Sequence, residues 1–328
     1  MTLRAGVVGL GAIGRHHARV LSTMEGVELV VAADPAGDIH DAARGVPVGR
    51  GVEDVIAAGV DLCVVAVPTG QHEQVALALA EAGVHALVEK PLAPDHAAAT
   101  RIAEAFASRR LVGAVGHVER YNSAVLEMRK RLDAGQLGNI YQVATRRQGP
   151  YPTNLGDTGV VMDLASHDID VTSFLTRAGY ASVSAMTASK SGRGHEDLVA
   201  FLGRLDDGTV SSHLVNWLSP LKERIVIVTG ERGCLVADTL SADLTFFANG
   251  SIEIEWDAIS MFRGVAEGDM TRFAIPKPEP LRSELRAFCD AVGGGPAVVV
   301  TMEEGAAVVA VAAGVLKSSV TSEQVNVP

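Results

Sequence analysis

Short apolar runs alternate with amphipathic helical patterns along the first third of the chain. The apolar runs are typical of buried strands, and between them the apolar positions recur every three to four residues. Strands separated by helices pair in parallel, so the pattern predicts a doubly wound α/β sheet. The predicted strands are Leu3–Val8, Glu28–Ala33, Asp61–Val67, Ala86–Glu89 and 111–116, and the predicted helices are 13–24, Val52–Ala58, Gln71–Ala82 and 95–108.

The pattern changes after Tyr121. Several strands with period-two alternation are predicted between Val183 and Ile254, which favours an α+β domain with an open, mostly antiparallel sheet. We therefore predict two domains, residues 1–121 and 122–328, and expect the last helix to pack at their interface because it is apolar on most sides. The remaining predictions are helices at Ala124–Ala134, Leu281–Val292 and Thr301–Leu316, a strand at Ile140–Arg147 and a loop at Gln148–Gly159.

Composition narrows the class of protein. Apolar residues make up 48% of the chain and charged residues 20%, as in a globular protein. The net charge of -11 argues against a nucleic-acid partner. We recognise no targeting leader and no run of about 18 apolar residues, and therefore expect a cytoplasmic protein that does not cross a membrane. The three cysteines lie far apart among apolar residues and predict neither disulfides nor a metal site.

A glycine-rich turn follows the first predicted strand. Gly9-Leu10-Gly11-Ala12-Ile13-Gly14 has the GxGxxG spacing and opens a helix, the arrangement that cradles a dinucleotide pyrophosphate. Asp34 ends the second strand, where a carboxylate can accept hydrogen bonds from the adenosine ribose. That carboxylate would repel a 2′-phosphate, and we expect no arginine nearby, so the sequence favours NAD over NADP.

The carboxyl end of the third strand is a second candidate for cofactor contact. Val67-Pro68-Thr69 closes that strand at the edge of the sheet where ligands of such folds bind. His72 follows shortly after and is assigned to the nicotinamide side, with a surface position in the first turn of a helix as the alternative. His16 and His17, inside the first helix, are interpreted as structural.

Four segments together resemble the Gfo/Idh/MocA oxidoreductases across nearly the whole chain. They are Gly9–Gly14, Asp34, Glu89-Lys90-Pro91 and Asp163-Leu164-Ala165-Ser166-His167-Asp168. The resemblance implies a Rossmann domain, a C-terminal α/β domain, and hydride transfer between a nicotinamide and a carbohydrate or inositol hydroxyl. It also implies that Lys90 is catalytic and precedes a cis proline, that Asp163 and His167 bind substrate and act as acid and base, and that Glu89 and Lys90 adjoin the cofactor.

Elementary chemistry agrees with these roles. Oxidation of an alcohol needs a group that takes the hydroxyl proton near neutral pH, which suits His167. Asp163 lies four residues earlier on a predicted helix, so the two side chains share a face. Lys90, at the end of a strand near the cofactor, would stabilise the developing alkoxide.

The segment Gly116-His117-Val118-Glu119-Arg120-Tyr121-Asn122 leads into the second domain. Within the family, GHxERxN resembles the branch that acts on nucleotide sugars, so we assign Arg120, Tyr121 and Asn122 to substrate binding. A domain-junction ion pair is the alternative. Arg147 and Tyr151, at the end of a strand and in the following loop, are further candidates. Of Arg146 and Arg147 only one can face the substrate, because neighbouring strand residues point to opposite faces.

The sequence thus predicts an NAD-dependent oxidoreductase acting on a ring hydroxyl of a nucleotide sugar such as UDP-N-acetylglucosamine. Inositol 2-dehydrogenase or a free-sugar dehydrogenase is the alternative enzyme, and a non-catalytic dinucleotide-sensing regulator is the alternative of another class. NAD that stays bound between turnovers is also compatible with these motifs. A homodimer or homotetramer is the expected assembly.

Overall fold

The computed structural model describes residues 2–151, 158–192, 194–250, 266–296 and 298–328. They form two compact units, and the chain passes between them three times. The first unit contains residues 1–118 and 278–313, and the second contains residues 119–277 and 314–328.

The first unit is a parallel sheet of six strands with helices between them. Its strand order, β3-β2-β1-β4-β5-β6, reverses direction between β1 and β4, which is the point where doubly wound sheets bind their ligands. The strands are β1 Leu3–Val8, β2 Val27–Ala33, β3 Val48–Gly49, β4 Leu62–Val65, β5 His85–Glu89 and β6 Gly113–Gly116. The helices between them are α1 Gly14–Leu21, α2 Val52–Ala57, α3 His72–Glu81 and α4 His96–Arg109. The predicted doubly wound sheet is confirmed.

The apolar runs form strands because both faces of this sheet are covered. Every residue of β4 is buried, as are the last four of β1. Local signals set the helix ends: the Asp95 carboxylate accepts a hydrogen bond from the Ala98 backbone N–H at the start of α4, and Arg110 ends that helix in the left-handed conformation. The carboxyl ends of β1, β4 and β5 consequently lie together at one edge of the sheet.

The predicted domain boundaries need one correction. Residues 278–313 return to the first unit, so the second unit is not the continuous stretch 122–328. They return because helix α7, Pro280–Val292, packs its apolar side into the core of the first unit beside α1. Hydrogen bonds from Arg282 to the Thr23 hydroxyl (2.8 Å) and from Arg286 to the Glu25 carbonyl (2.9 Å) fix it there.

The second unit is built on a nine-stranded sheet in the order β14-β13-β12-β11-β7-β10-β9-β8-β15, antiparallel except for the pair β7 and β10. The predicted mostly antiparallel sheet is confirmed. Its strands are β7 Ile140–Pro150, β8 Tyr180–Ala188, β9 Leu198–Leu205, β10 Val210–Asn216, β11 Leu218–Gly230, β12 Gly233–Asp238, β13 Asp243–Gly250, β14 Ala266–Phe273 and β15 Val325–Asn326. Helices α5, Ser123–Asp133, and α6, Ser166–Thr176, pack with one sheet face in a common apolar core.

The last helix, α8, runs from Met302 to Thr321, and the division between the two units falls inside it, after residue 313. Its packing at the domain interface stays a prediction. By length and composition alone, it is the one helix among the described residues that could cross a membrane, although charged residues interrupt its apolar run. More than half of its apolar window is buried within the fold, as in the core helix of a globular protein.

A buried histidine lies at the centre of a polar network in the second unit. The Nδ1 atom of His213 is 2.7 Å from the Thr145 hydroxyl and its Nε2 atom is 3.0 Å from the Tyr180 hydroxyl, while its ring stacks on Phe201. Complete burial lowers the pKa of His213 to about 3. The imidazole is therefore neutral in the folded protein, and it remains neutral as the pH falls from about 7 towards this pKa.

We expect this histidine to make folding pH-dependent. Because the unfolded chain binds a proton near pH ~6.5 and the folded chain does not, stability falls with pH below that value, by about 1–1.5 kcal/mol between pH ~7.5 and ~5.5. His213→Gln should lose this part of the dependence, whereas exposed His40→Gln should keep it. Urea denaturation of each protein at the two pH values measures the difference. An equal loss in wild type and His213→Gln would contradict the assignment.

Candidate active site

The glycine turn between β1 and α1 has the shape that a dinucleotide requires. Gly9 has a φ of +95°, and a Cβ there would lie 2.4 Å from the Ala66 carbonyl oxygen. A Cβ on Gly14 would lie 1.8 Å from the Gly9 carbonyl oxygen, so only glycine lets the helix approach the strand this closely. By contrast, a Cβ on Gly11 would meet no atom within 4 Å. The exposed residues Gly11, Ala12 and Ile13 thus leave open space at the N-terminus of α1, which fits a pyrophosphate.

Asp34, directly after β2, is tied to this turn. One carboxylate oxygen accepts a hydrogen bond from the Leu10 backbone N–H and the other from the Ala36 backbone N–H, both at 2.8 Å. A carboxylate has about four acceptor positions, so this oxygen pair keeps capacity for ribose hydroxyls. The expectation that no arginine lies nearby is wrong: the Arg50 guanidinium donates to the Pro35 carbonyl at 3.3 Å. The discrimination against a 2′-phosphate therefore rests on Asp34.

Gly11 and Gly14 should respond differently to substitution. Gly11→Val should leave the melting temperature unchanged, because its side chain enters open space, and should weaken NAD binding at least about tenfold by blocking that space. Gly14→Ala should lower stability by about 1–3 kcal/mol, because its Cβ overlaps the backbone. Thermal unfolding without ligand and NAD titration calorimetry measure the two effects. Tight NAD binding by Gly11→Val would contradict the position given to the pyrophosphate.

His72 has a different role from the one predicted. It is buried, its Nε2 atom is 2.9 Å from the Val67 carbonyl oxygen, and its Nδ1 atom is 3.0 Å from the Pro91 carbonyl oxygen. Both ring nitrogens thus face backbone carbonyls, and burial lowers the pKa of the ring. His72 links the loop after β4 to the loop after β5 and does not present its nitrogens to a cofactor. Neither reading of it, nicotinamide contact or surface residue, is correct.

The residues before Lys90 anchor it at the end of β5. The Glu89 carboxylate lies 2.7 Å from the buried His17 Nε2 atom and also accepts a hydrogen bond from the Lys90 backbone N–H at 3.2 Å. Burial opposes ionisation of Glu89, but His17 and Lys90 together outweigh it, and the pKa of the carboxyl is lowered. The structure gives Glu89 this internal pairing in place of the predicted cofactor contact. The Lys90–Pro91 peptide is cis, as the resemblance implied.

At this edge of the first unit the sheet brings several predicted residues together. Lys90 follows β5, whereas Val67, Pro68 and Thr69 follow β4, the neighbouring strand. The glycine turn follows β1, which pairs with β4 on its other side. An ammonium group and a dinucleotide turn at one sheet edge are what hydride-transfer chemistry requires.

Asp163 and His167 lie at the start of the helical segment that packs under the second sheet. Asp163 belongs to a π-helical turn, Val161–Ala165, and His167 is the second residue of α6. The Glu196 carboxylate fixes this turn by accepting the Val161 backbone N–H at 3.0 Å. Asp163 is half-buried and His167 is 8% exposed. Single π turns are frequent at functional sites, and this one sets the spacing of the two residues.

Several predicted substrate-binding residues are instead internal. The Arg120 guanidinium, 6% exposed, forms a buried ion pair with Asp170 at 2.6–2.9 Å. The Asn122 amide donates to the Thr239 carbonyl and its oxygen caps α5 through the Ala124 N–H. Tyr121 is also buried. The assignment of Arg120 and Asn122 to substrate binding is therefore corrected: Arg120 pairs with Asp170 of α6 inside the second unit.

Arg147 needs the same correction. It is buried, with its Nε atom 3.0 Å from the Asp168 carboxylate and its Nη1 atom 3.1 Å from the Glu119 carboxylate. Arg146 points to the opposite face, where it pairs with Glu223 at 2.5 Å, so the predicted alternation is confirmed. Arg147 is enclosed on the helix side of the sheet, and Arg146 lies on the other side. Neither guanidinium is therefore available to a substrate on the helix side.

Tyr151 packs edge to face on Trp217, with ring centroids 5.2 Å apart. It is half-buried, in keeping with the alternative of an aromatic that pins its loop; the rest of that loop, 152–157, lies outside the described residues. Trp217 was not predicted, and its only sequence signal was an aromatic at the end of a strand. His17 was assigned to structure alone, because nothing in its spacing reveals a partner that is distant in sequence.

The cysteines take no part in either half of the site. Cys63 and Cys289 are buried and free, and burial raises the pKa of these thiols to about 12 and about 11. Across the described ranges, no group of three or more His, Cys, Asp and Glu side chains is placed to hold a metal ion.

A doubly wound domain with an open glycine turn and a lysine at the same edge of the sheet is typical of the class of nicotinamide-dependent oxidoreductases. Comparison with known proteins agrees. The description "Oxidoreductase family, NAD-binding Rossmann fold" matches residues 3–117, and "GFO/IDH/MocA C-terminal domain" matches residues 125–236.

Individual relatives point the same way. Inositol 2-dehydrogenase 1 of Saccharopolyspora erythraea is 30% identical, over 100% of this chain and 97% of its own. UDP-N-acetylglucosamine 3-dehydrogenase of Acidithiobacillus ferrooxidans is 32% identical over 64% of this chain and 66% of its own. A solved structure of that enzyme has a TM-score of 0.83 at 25% identity, over 97% of this chain and 98% of its own. Levoglucosan dehydrogenase in complex with NADH shares the fold, with a TM-score of 0.88 at 20% identity and complete coverage of both chains.

The chain belongs to the Gfo/Idh/MocA oxidoreductases, a family of NAD-dependent sugar and polyol dehydrogenases.

Proposed function

We propose that the chain oxidises, reversibly, a secondary ring hydroxyl of a UDP-N-acetylglucosamine-like nucleotide sugar, at the C3 position. The observation that carries this proposal is the GHVERYN segment, together with similarity to a UDP-N-acetylglucosamine 3-dehydrogenase over nearly the whole chain. Since Arg120 and Asn122 of this segment are committed to internal contacts, the segment serves as a mark of the branch and not as a contact with the diphosphate.

The chemistry divides between the two units. When bound at the glycine turn, NAD supplies the hydride acceptor. His167 takes the hydroxyl proton of the substrate, because an imidazole exchanges protons near neutral pH. Lys90 stabilises the negative charge that develops on the substrate oxygen as the proton leaves, and Asp163 orients either the imidazole or a neighbouring hydroxyl. In the reverse direction the same residues return the proton.

Turnover measured as NADH absorbance on a panel of substrates tests the proposal. The panel contains UDP-N-acetylglucosamine, its uronate form, free N-acetylglucosamine, glucose, myo-inositol and scyllo-inositol, each with NAD and with NADP. We expect the highest kcat/KM with NAD and the neutral nucleotide sugar. Activity confined to inositols or free sugars would overturn the substrate assignment, and binding of NAD without any turnover would favour a dinucleotide-sensing regulator.

An inositol dehydrogenase is the second candidate. It is supported by the inositol 2-dehydrogenase of Saccharopolyspora erythraea, which matches the chain from end to end. The commitment of Arg120 and Arg147 to buried ion pairs also favours it, because those guanidinium groups are then not available to a diphosphate. The same panel separates the two candidates, and mass spectrometry of the purified protein reports whether NAD stays bound.

The second sheet leaves one face for assembly, opposite α5 and α6. Alternate residues of its strands place apolar side chains there, several of them well exposed: Leu202, Leu214, Phe247 and Met270. Apolar surface of this kind favours association, so we propose a homodimer or homotetramer formed through this face, in the cytoplasm. Native mass spectrometry of wild type and Leu202→Glu tests it: we expect the variant to dissociate, and a monomeric wild type would contradict the proposal.

A further inference from the structure

A cluster of four charged side chains lies inside the second unit, and we name it the Arg147 cluster: Glu119, Arg147, Asp168 and Arg224. Arg147 is at its centre, 3.0 Å from the Asp168 carboxylate and 3.1 Å from the Glu119 carboxylate. Arg224 reaches the same Glu119 oxygen at 2.9 Å. The Arg147 and Asp168 side chains are 2% and 1% exposed, so their ion pair is shielded from water.

The cluster joins four separate parts of the unit beside the first turn of α6. Glu119 lies in the 3₁₀ turn Val118–Tyr121, Arg147 on β7, Arg224 on β11, and Asp168 in the first turn of α6. Asp168 follows His167 directly. One helical turn contains both residues, so a displacement of the Asp168 backbone displaces the imidazole as well.

A second buried pair holds the same helix slightly further along. Arg120, the neighbour of Glu119, pairs with Asp170 of α6. Glu119 is thus linked to Asp168 through Arg147, and Arg120 pairs directly with Asp170. The two neighbouring residues therefore hold α6 at two positions within one turn. The glutamate and arginine of the GHVERYN segment thus fix the position of the helix that contains His167.

Stability alone is a poor explanation of the Arg147 cluster. The desolvation of buried ions offsets most of their attraction, and apolar residues of similar size serve stability as well or better. The Asp168 carboxylate is moreover bound through one oxygen only; its Oδ2 atom is buried without a hydrogen-bond partner within the described part of the chain. Burial raises the pKa of Asp168, and Arg147 opposes the rise. Such an ion pair instead fixes the relative positions of its two side chains and of the backbone segments that carry them.

We propose that Arg147 and Asp168, braced by Glu119, are positioning residues for His167. They hold the first turn of α6 so that the imidazole meets the substrate hydroxyl in one orientation. This inference rests on the proposed acid/base role of His167, and it does not depend on which sugar or polyol is bound.

The test compares Arg147→Met, Asp168→Asn and the double variant. Arg147→Met leaves the buried Asp168 carboxylate without its guanidinium, and Asp168→Asn leaves two guanidinium groups that share the Glu119 carboxylate. Each single change should therefore lower both the melting temperature and kcat. The double variant removes both charges, and its melting temperature should recover to within a few degrees of wild type. We expect its kcat to remain roughly 100-fold low, because the imidazole is no longer held in place, with NAD affinity unchanged. Asp243→Asn, in a surface ion pair of the same unit, is the control and should keep the wild-type kcat.

Recovery of kcat together with the melting temperature in the double variant would overturn the proposal, since the pair would then serve folding only. A second readout does not depend on turnover: the ¹⁵N-labelled imidazole signals of His167, assigned by their loss in His167→Asn. We expect one set of imidazole signals in wild type and shifted or doubled signals in the folded double variant. Unchanged signals would overturn the positioning role. If wild type turned over no member of the substrate panel, the proposed function would fail, while the imidazole spectrum would still decide this inference.

Discussion

Lys90→Met is expected to lower hydride transfer by roughly 10²–10³-fold while leaving the affinity for NAD nearly unchanged. In the proposed mechanism the ammonium group stabilises the developing alkoxide, and methionine keeps the length of the side chain without the charge. NAD affinity should survive because the glycine turn and Asp34, which we propose hold the dinucleotide, do not involve the Lys90 side chain. Single-turnover formation of NADH, together with NAD titration calorimetry, measures the two quantities separately.

Lys130→Met is the matched control. Lys130 is exposed on α5, and its removal should change neither rate nor affinity. A Lys90→Met enzyme with wild-type turnover would remove this lysine from the chemistry. A variant that lost NAD binding and turnover together would place Lys90 in cofactor binding instead.

His167→Asn should lower kcat by roughly 10²–10⁴-fold and remove the ascending limb of the pH–rate profile for alcohol oxidation. The sign follows from the proposed role: a general base must be unprotonated to accept the hydroxyl proton, so the wild-type rate of alcohol oxidation should rise with pH. Asparagine has no proton to lose in this range, and its residual rate should lack that limb. The profile of kcat from pH ~5.5 to ~8.5 measures the effect.

His40→Asn serves as the control, because His40 is exposed in the loop after β2. It should keep the wild-type profile. A pH profile that is unchanged in His167→Asn, at reduced rate, would show that another group titrates and that His167 only binds substrate.

Local patterns made the first unit predictable. Continuous apolar runs reveal strands covered on both faces, and the glycine spacing reports steric limits that are visible in the structure, such as the 1.8 Å that separates a Cβ on Gly14 from the Gly9 carbonyl oxygen. The positions of β1, β2, β4, β5 and β6 within the sheet are then limited by the handedness of parallel crossovers. Lys90 could be placed at the sheet edge for the same reason.

Long-range pairing was not predictable. Arg120 and Asp170 are 50 residues apart, and Arg147 and Asp168 are 21 apart, so the sequence showed four charged residues without showing that they neutralise one another. A charge next to a candidate site was therefore assigned to the substrate. The structure shows that these guanidinium groups lie in the interior, where only a carboxylate partner makes burial tolerable.

Helix amphipathicity likewise reveals that a helix exists and not where it packs. The pattern of α7 predicted its bounds closely, yet its core partners, including Leu21 and Ala5, lie at the other end of the sequence. An Asn-Gly pair is typical of a turn, yet Asn249 and Gly250 belong to β13, beside an irregularity in its pairing with β14. Turn-forming residues tolerate such irregularities as readily as they form turns.

The central claim is that Lys90 and His167, on separate units, act on one substrate hydroxyl. A double-mutant cycle on single-turnover hydride transfer, with wild type, Lys90→Met, His167→Asn and the double variant, tests it most directly. Groups that act together on one atom are strongly non-additive, so we expect the double variant to be little slower than the slower single variant. Rate losses that simply multiply would contradict the claim.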